Sequence, residues 1–253
     1  MKVLNTEEYI GEKINVKPVT KKALDDWFVE KDVDEKTKEL IHICKLSYNK
    51  FTRRYDSQHS VHITDEYLKD GKFPLKFGKI NGKFSCANCD SLVSMDGAPT
   101  SVLSFDCQNC KNLKSLVGAP QNDIGYYDCS DCGLETLDGA PNEVGNFVCD
   151  RNRLTNLNGA PKKVSGYFDC RYCPTLVSIE GAPKEIGGDF DLYQCTKLES
   201  LNGLPNKIGG ELDLRGCYEL KSSDLLNAER ALNGTEIKKP AQTLDTPINI
   251  HQQ

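Results

Sequence analysis

The chain has 253 residues, 27% of them charged, and a formal net charge of -5. This modest acidity argues against a nucleic-acid partner, because such proteins usually present a basic surface. No apolar run reaches the roughly 18 residues of a membrane-spanning helix, and residues 1–8 turn acidic where a signal peptide would be apolar. Together these features predict a cytoplasmic protein without a membrane partner.

Residues 1–76 carry no repeat and are predicted to be mostly helical. Thr20 can cap a helix that runs to about Lys31, and Asp32-x-x-Glu35 has the form of a capping box for a second helix. Residues 61–64 are predicted to form a short strand. The second helix is predicted from one apolar stripe, formed by Leu40, Cys44, Tyr48, Phe51 and Tyr55. The region is interpreted as a cap over the first repeat; a separate binding or effector module is the alternative.

Residues 77–221 are an internal repeat. The tripeptide Gly-Ala-Pro recurs at intervals of 20 to 22 residues, and Gly203-Leu204-Pro205 continues the series. Glycine allows unusual backbone angles and proline ends a strand, so each tripeptide is predicted to be a turn. The prolines of the tripeptides are Pro99, Pro120, Pro141, Pro161 and Pro183.

A second landmark follows the same step, in the form aromatic-x-Cys-x-x-Cys-x-x-Leu. Its alternation of apolar and polar residues predicts a short strand. A unit of this length cannot bury a core alone, so neighbouring units must stack, with parallel strands about 4.8 Å apart. The leading residues of the landmark are Phe84, Phe105, Tyr127, Phe147, Phe168, Phe190 and Leu212.

This pattern resembles the leucine-rich repeat over most of residues 77–221. It is similar in particular to the short repeats containing Gly-Ala-Pro and cysteine that occur in proteins of tailed phages and some bacteria. The resemblance implies an α/β solenoid, in which a parallel sheet is built from repeats of about 21 residues, and a phage or bacterial source. For a phage protein, the location would be the host cytoplasm.

The chain has twelve cysteines, and several form C-x-x-C pairs that also suit zinc. Two substitutions favour a structural role instead. The first cysteine of the pair is replaced by Leu192 and Leu214 in later repeats, and the second is replaced by Asn152 in one repeat. Leucine suits a buried apolar position, and asparagine or cysteine suits a position that bonds the turn backbone. The prediction is therefore buried, reduced cysteines, with no metal and no cofactor.

Residues 222–253 are predicted to end the array. Ser222 or Ser223 can cap a short helix through Leu232, whose leucines would cover the last repeat. From Thr235 onward the chain is polar and is predicted to be a loose tail.

A catalytic site is not predicted. The motifs of serine hydrolases, zinc proteases and P-loop enzymes are absent from the sequence. His59 and His62 lie near Asp56, but three polar residues in a loop are usually only solvated. The chain is therefore interpreted as a non-catalytic binding module. The alternatives are a structural component of a particle, and an enzyme or effector activity within residues 1–76.

The residues beside each buried aromatic are predicted to line a concave sheet surface. One outward column reads Ser85, Asp106, Asp128, Val148, Asp169, Asp191 and Asp213. Residues 81–253 carry a net charge of -7, whereas residues 1–80 carry +2. This face is therefore predicted to be an acidic groove that binds a protein with a basic surface. The alternative is that the face is merely solvated. The predicted contact residues are Asp106, Asp128, Asp169, Asp191, Asp213, Tyr126, Tyr167, Arg171, Tyr193 and Arg215.

Overall fold

The computed structural model describes residues 33–122 and 124–241. The predicted helix from Thr20 to Lys31 and the end of the polar tail lie outside these residues. The described chain forms a parallel β-solenoid of about eight stacked turns, each of about 22 residues. Solenoid stacking follows from the repeat, because each turn buries its apolar residues against the next.

The elements are short, as expected for a solenoid. Among the described residues the helices are α1 (Glu35–Ile43) and α2 (Ser222–Ala231), and a 3-10 turn covers Asp65–Tyr67. The strands of the main sheet are β1 (Ser47–Asn49), β2 (Arg54–Ser57), β3 (Val61–His62), β4 (Phe77–Ser85), β5 (Ser101–Asp106), β6 (Tyr126–Asp128), β8 (Asn146–Val148), β10 (Phe168–Asp169), β12 (Phe190–Asp191), β14 (Leu212–Asp213) and β15 (Ile237–Lys238). The second sheet contains β7 (Glu143–Val144), β9 (Lys163–Val164), β11 (Glu185–Ile186) and β13 (Lys207–Ile208).

Parallel pairing in register confirms the predicted repeat. The main sheet runs in the order β1-β2-β4-β5-β6-β8-β10-β12-β14-β15, and β3 also pairs with β4. Phe84 pairs with Phe105, Phe105 with Tyr127, and the series continues through Phe190 to Leu212. The leading residues of the landmark therefore lie directly above one another.

The core consists of these stacked side chains. From Phe84 to Phe190 the neighbouring ring centroids are 5.0 to 5.8 Å apart, and each ring is completely buried. Neighbouring rings at this spacing add to the stabilisation from buried area. All twelve cysteines are also buried and free of disulfides, so their predicted burial is confirmed.

The Gly-Ala-Pro segments form the predicted turns. Gly97 has a φ of 92°, and the N–H of Ala98 donates to the carbonyl of Met95 at 2.9 Å. The corresponding glycines of the following turns also have positive φ. A side chain would be strained in this conformation, which explains why glycine recurs there.

The second sheet carries an ordered column of exposed charges. Glu143 pairs with Lys163, Lys163 with Glu185, and Glu185 with Lys207. Opposite charges thus face each other across every pair of strands, an arrangement that favours the observed register.

The N-terminal region differs from the prediction. Its described helix ends at Ile43, and Tyr48 and Tyr55 face each other across the antiparallel hairpin β1–β2 with ring centroids 5.2 Å apart. Phe51 lies in the hairpin turn and is 90% exposed. The predicted stripe from Leu40 to Tyr55 was therefore wrong as one helix, because a spacing of three and four residues can also place tyrosines opposite each other in a hairpin.

The predicted strand at residues 61–64 is present in part, as β3, Val61–His62. Strands β2 and β3 both pair with β4. Residues 54–62 therefore extend the sheet of the array beyond the boundary at residue 77.

The C-terminal helix is confirmed, although Lys221 rather than a serine occupies its N-cap position. The tail after Thr235 is not entirely loose, because β15 pairs with β14 and adds a strand to the sheet. Both described helices lie outside residues 77–221, so the array is a β-solenoid rather than an alternation of strands and helices. Neither helix has the length and apolarity to cross a bilayer.

Candidate functional site

The outward face of the main sheet holds the predicted binding residues. In each turn the aromatic residue points inward, so the residues before and after it point outward. The chain then bends and passes the two cysteine positions. We call the outward residues and the bend that follows them the strand face.

The aspartates of the strand face have a structural role at this bend. The Oδ1 atom of Asp128 accepts the N–H of Ser130 at 3.0 Å, and Asp191 accepts the N–H of Tyr193 at 2.9 Å. Asp106, Asp169 and Asp213 accept the N–H two residues ahead in the same way. Aspartate is favoured in such turns because its short side chain can bond its own backbone. This explains why a residue that strands disfavour recurs at the strand end.

The aspartate column is mostly buried, contrary to the prediction of an exposed acidic groove. Relative exposures are 3% for Asp106, 7% for Asp128, 8% for Asp169 and 7% for Asp213. The physical reason is that each carboxylate turns back toward its own backbone and is covered by a cation or hydroxyl. The Lys83 ammonium, for example, lies 2.6 Å from the carboxylate of Asp106.

Arginines provide this cover in the later turns. Nε and Nη2 of Arg171 lie 2.9 and 2.7 Å from the Asp169 carboxylate, and Nε lies 3.5 Å from that of Asp191. Arg215 holds Asp213 through Nε, at 3.0 Å, and Nη2, at 2.5 Å. The arginine side chains are 41% and 55% exposed, against 11% and 10% for the aspartates beneath them. In these two pairs solvent therefore meets the guanidinium group more than the carboxylate, whereas the side chain of Asp191 stays 28% exposed.

Burial and neighbouring charges divide the aspartates by pKa. Burial, reinforced by Asp169, raises the pKa of Asp150 to about 6, and burial also raises the pKa of Asp191 to about 6. Burial opposes ionisation of Asp213 as well, but hydrogen bonds from Arg215 outweigh it and lower the pKa. The strand face thus contains two carboxylates that gain protons close to neutral pH, Asp150 in the bend and Asp191 in the aspartate column, and one, Asp213, that resists protonation.

A further outward column lies between the two cysteine positions, and it was not predicted from the sequence. Its members have a left-handed backbone, with φ between 51° and 62° for the residues other than glycine. Asparagine, aspartate and glycine tolerate this conformation best, and their recurrence at this position was the available signal. The column is Asn88, Asn109, Asp131, Arg151, Tyr172, Gln194 and Gly216.

This column and the strand face together form a row of cations and rings. Arg151 lies over the ring of Tyr172 at 4.8 Å, the rings of Tyr172 and Tyr193 meet edge to face at 5.4 Å, and Arg215 lies over Tyr193 at 5.3 Å. With Arg171 these residues form what we call the Arg–Tyr ridge. The prediction included Arg171, Tyr193 and Arg215 but not Arg151 or Tyr172.

The two remaining predicted tyrosines lie in another column of the strand face. The Tyr126 hydroxyl donates to Asp128 at 2.9 Å, and burial together with Asp128 raises the pKa of this tyrosine. Tyr167 is 38% exposed, and its N–H donates to the side chain of Asn146 at 3.0 Å. Tyr126 is thus tied to the aspartate column, whereas Tyr167 presents its ring to solvent.

The second cysteine of each pair bonds the backbone of the preceding turn. The thiol of Cys110 donates to the carbonyl of Cys86 at 3.2 Å, and that of Cys132 to the carbonyl of Cys107 at 3.0 Å. Cys195 and Cys217 repeat this contact with Cys170 and Leu192. Within the described residues, no group of three or more histidine, cysteine or acidic side chains has the arrangement to hold a metal ion. The cysteines therefore act as links between turns.

Asp56, the acid near His59 and His62, is also engaged by the fold. Its Oδ1 accepts the N–H of Lys79 at 2.7 Å and its Oδ2 accepts the Asn49 amide at 3.1 Å. The carboxylate joins hairpin β1–β2 to β4.

The repeat and its register define a parallel β-solenoid repeat protein. No protein-family model, no curated protein and no solved structure matches the chain.

Proposed function

We propose that the protein is a non-catalytic binding module that captures a protein partner on the strand face, with the Arg–Tyr ridge as its centre. The observation that carries this proposal is the continuous contact from Arg151 through Tyr172 and Tyr193 to Arg215. Tyrosine and arginine are the side chains that most often dominate protein interfaces. Here they are partly exposed, adjacent and held on a regular backbone.

Preorganisation supports the same interpretation. Arg171 and Arg215 are each fixed by hydrogen bonds to a buried aspartate, and the two tyrosine rings restrain each other. Side chains already fixed before binding lose less conformational entropy when a partner arrives. The burial of Asp169 and Asp213 also weakens the expectation of a basic partner, because their charges are not the ones that a partner would meet.

We further infer that the array is a variant of the short leucine-rich repeats of phages and bacteria, acting in a reducing cytoplasm. The repeat pattern of residues 77–221 supports the family, and the twelve buried free thiols suit a reducing compartment. Mass spectrometry of the protein from its native cells, after alkylation under denaturing conditions, tests the compartment. Extensive disulfide formation would contradict it.

The binding face is tested by affinity capture with the full chain, followed by affinity measurements on the captured partner. Tyr172→Ala should weaken binding at least about tenfold, a typical hot-spot loss. Tyr218→Ala is the matched control, because Tyr218 is also exposed, at 57%, but lies outside the ridge. Equal affinity of both variants and the unmodified protein would place the binding site elsewhere.

A further inference from the structure

We propose that the Arg–Tyr ridge recognises an extended acidic peptide segment, whose carboxylates bind the guanidinium edges that the buried aspartates leave free. This inference rests on the proposed function, since it names the partner chemistry of the same face. It reverses the charge expected from the sequence, where the aspartate column suggested a basic partner.

The first support is the orientation of the guanidinium groups. Arg171 and Arg215 use Nε and Nη2 to hold their aspartates, and Nη1 of neither arginine has a hydrogen-bond partner among the described residues. A guanidinium has five N–H donors, so each of these arginines keeps donors for a second acceptor. A carboxylate is the side-chain group whose geometry fits such a pair of donors.

The second support is the difference in exposure between the two charges of each pair. The side chain of Arg151 is 53% exposed, whereas that of Asp150 is 5% exposed. In the pairs Arg171–Asp169 and Arg215–Asp213 the arginine side chain is likewise more exposed than the aspartate side chain. A carboxylate of a partner can therefore reach a guanidinium directly, whereas Asp150, Asp169 and Asp213 are shielded from a lysine of a partner.

The third support is the shape of the ridge. Arg151, Tyr172, Tyr193 and Arg215 occupy four successive turns, so the ridge is about 14 Å long at the usual strand spacing. This length matches about four residues of an extended chain. The rings of Tyr172 and Tyr193 lie between the two terminal arginines and provide apolar contact for the side chains between the acidic ones.

The test uses the full chain and two labelled peptides, one of alternating glutamate and valine and one of alternating lysine and valine. Fluorescence anisotropy should show the glutamate peptide binding at least about tenfold more tightly at low ionic strength, with the difference shrinking as salt screens the charges. Arg171→Gln with Arg215→Gln should reduce glutamate-peptide binding about tenfold. Lys114→Gln with Lys197→Gln is the matched control, because it removes two exposed charges outside the ridge.

Since the arginine variant removes the cations that neutralise Asp169 and Asp213, its folding is checked by circular dichroism. Tyr172→Leu provides a second variant that leaves the ion pairs intact and should also weaken glutamate-peptide binding. Equal effects of the ridge and control variants would overturn the assignment to the ridge. Tighter binding of the lysine peptide would overturn the proposal of an acidic partner. The same holds if the glutamate peptide does not bind although the affinity for a captured protein still depends on Tyr172. Either result would leave the proposed function standing. If Tyr172→Ala leaves the affinity for the captured protein unchanged, the proposed function is rejected instead.

Discussion

The side-chain amide of Asn152 donates to the carbonyl oxygen of Cys129 at 2.9 Å. The thiol of Cys132 makes the same contact with Cys107 one turn earlier. Asn152 also donates to Cys149, at 3.0 Å, and accepts the N–H of Leu134, at 3.2 Å. Asparagine therefore replaces cysteine because both can bond the preceding turn, and asparagine satisfies one backbone donor more.

Asn152→Ala should destabilise the protein by about 2–3 kcal/mol, because it leaves buried backbone groups without partners. Asn152→Cys should cost less, since a thiol can still donate to the carbonyl of Cys129. Urea unfolding followed by circular dichroism measures both variants. A smaller cost for alanine than for cysteine would show that the hydrogen bonds of Asn152 do not link the turns.

Tyr127→Phe should stabilise the protein by about 1 kcal/mol, because it removes a buried hydroxyl that has no partner among the described residues. Phenylalanine already occupies the same position in the neighbouring turns, at Phe105 and Phe147, so the ring fits. Tyr126→Phe is the matched control, since its hydroxyl is bonded to Asp128, and it should be neutral or destabilising. Thermal unfolding measures the stability of both variants. If Tyr127→Phe is destabilising, the Tyr127 hydroxyl has a hydrogen-bond partner that the structure does not show.

Acidification from about pH 8 to about pH 5 should stabilise the array through Asp150 and Asp191. Their folded pKa of about 6 lies above the unfolded value, so folding favours the protonated form, and this contribution is lost as pH rises through about 6. Asp191→Asn keeps an acceptor for the N–H of Tyr193 and should reduce the pH dependence of the unfolding midpoint.

Asp213→Asn is the opposite case. Arg215 lowers the pKa of the Asp213 carboxyl group, so the charged carboxylate stabilises the fold at neutral pH. This contribution is lost only when the pH falls through the lowered pKa. The substitution should therefore be most costly near neutral pH. Parallel pH profiles for the Asp191 and Asp213 variants would contradict the assignment of opposite shifts.

Gly145→Ala should destabilise strongly, by about 3 kcal/mol or more, because its Cβ would lie 2.0 Å from the carbonyl oxygen of Gly125. Gly125→Ala should change stability by less than about 1 kcal/mol, since there the nearest atom to the added Cβ is 3.4 Å away. These glycines hold the same position in neighbouring turns. Chemical denaturation of both variants measures the loss of stability. Similar losses at the two positions would show that close backbone contact does not determine the effect of replacing glycine.

Deleting residues 1–76 should promote aggregation, because it removes β2 and β3 from β4. The nine-residue β4 would then present an unpaired edge. Light scattering of the 77–253 fragment measures this. A soluble fragment that unfolds cooperatively would show that the first repeat does not depend on the preceding strands.

The repeat pattern was enough to predict the solenoid, its repeat length, the register of the aromatic column and the burial of the cysteines. It could do so because stacking forces identical positions of successive turns together, so a pattern along the chain becomes a column in space. Helix content was predicted less well, because the spacing of Tyr48 and Tyr55 fits both a helix face and the two arms of a hairpin.

Which charges of the strand face meet solvent depends on how the side chains of neighbouring turns are arranged in the fold. Sequence places Asp169 and Arg171 in adjacent outward columns, and both were predicted to be exposed. In the fold the carboxylate bonds its own backbone and the longer arginine lies over it. The contact of Arg151 with Tyr172 likewise depends on stacking and on a left-handed backbone at both residues. These arrangements follow from side-chain length and backbone conformation across separate turns, which linear spacing does not encode.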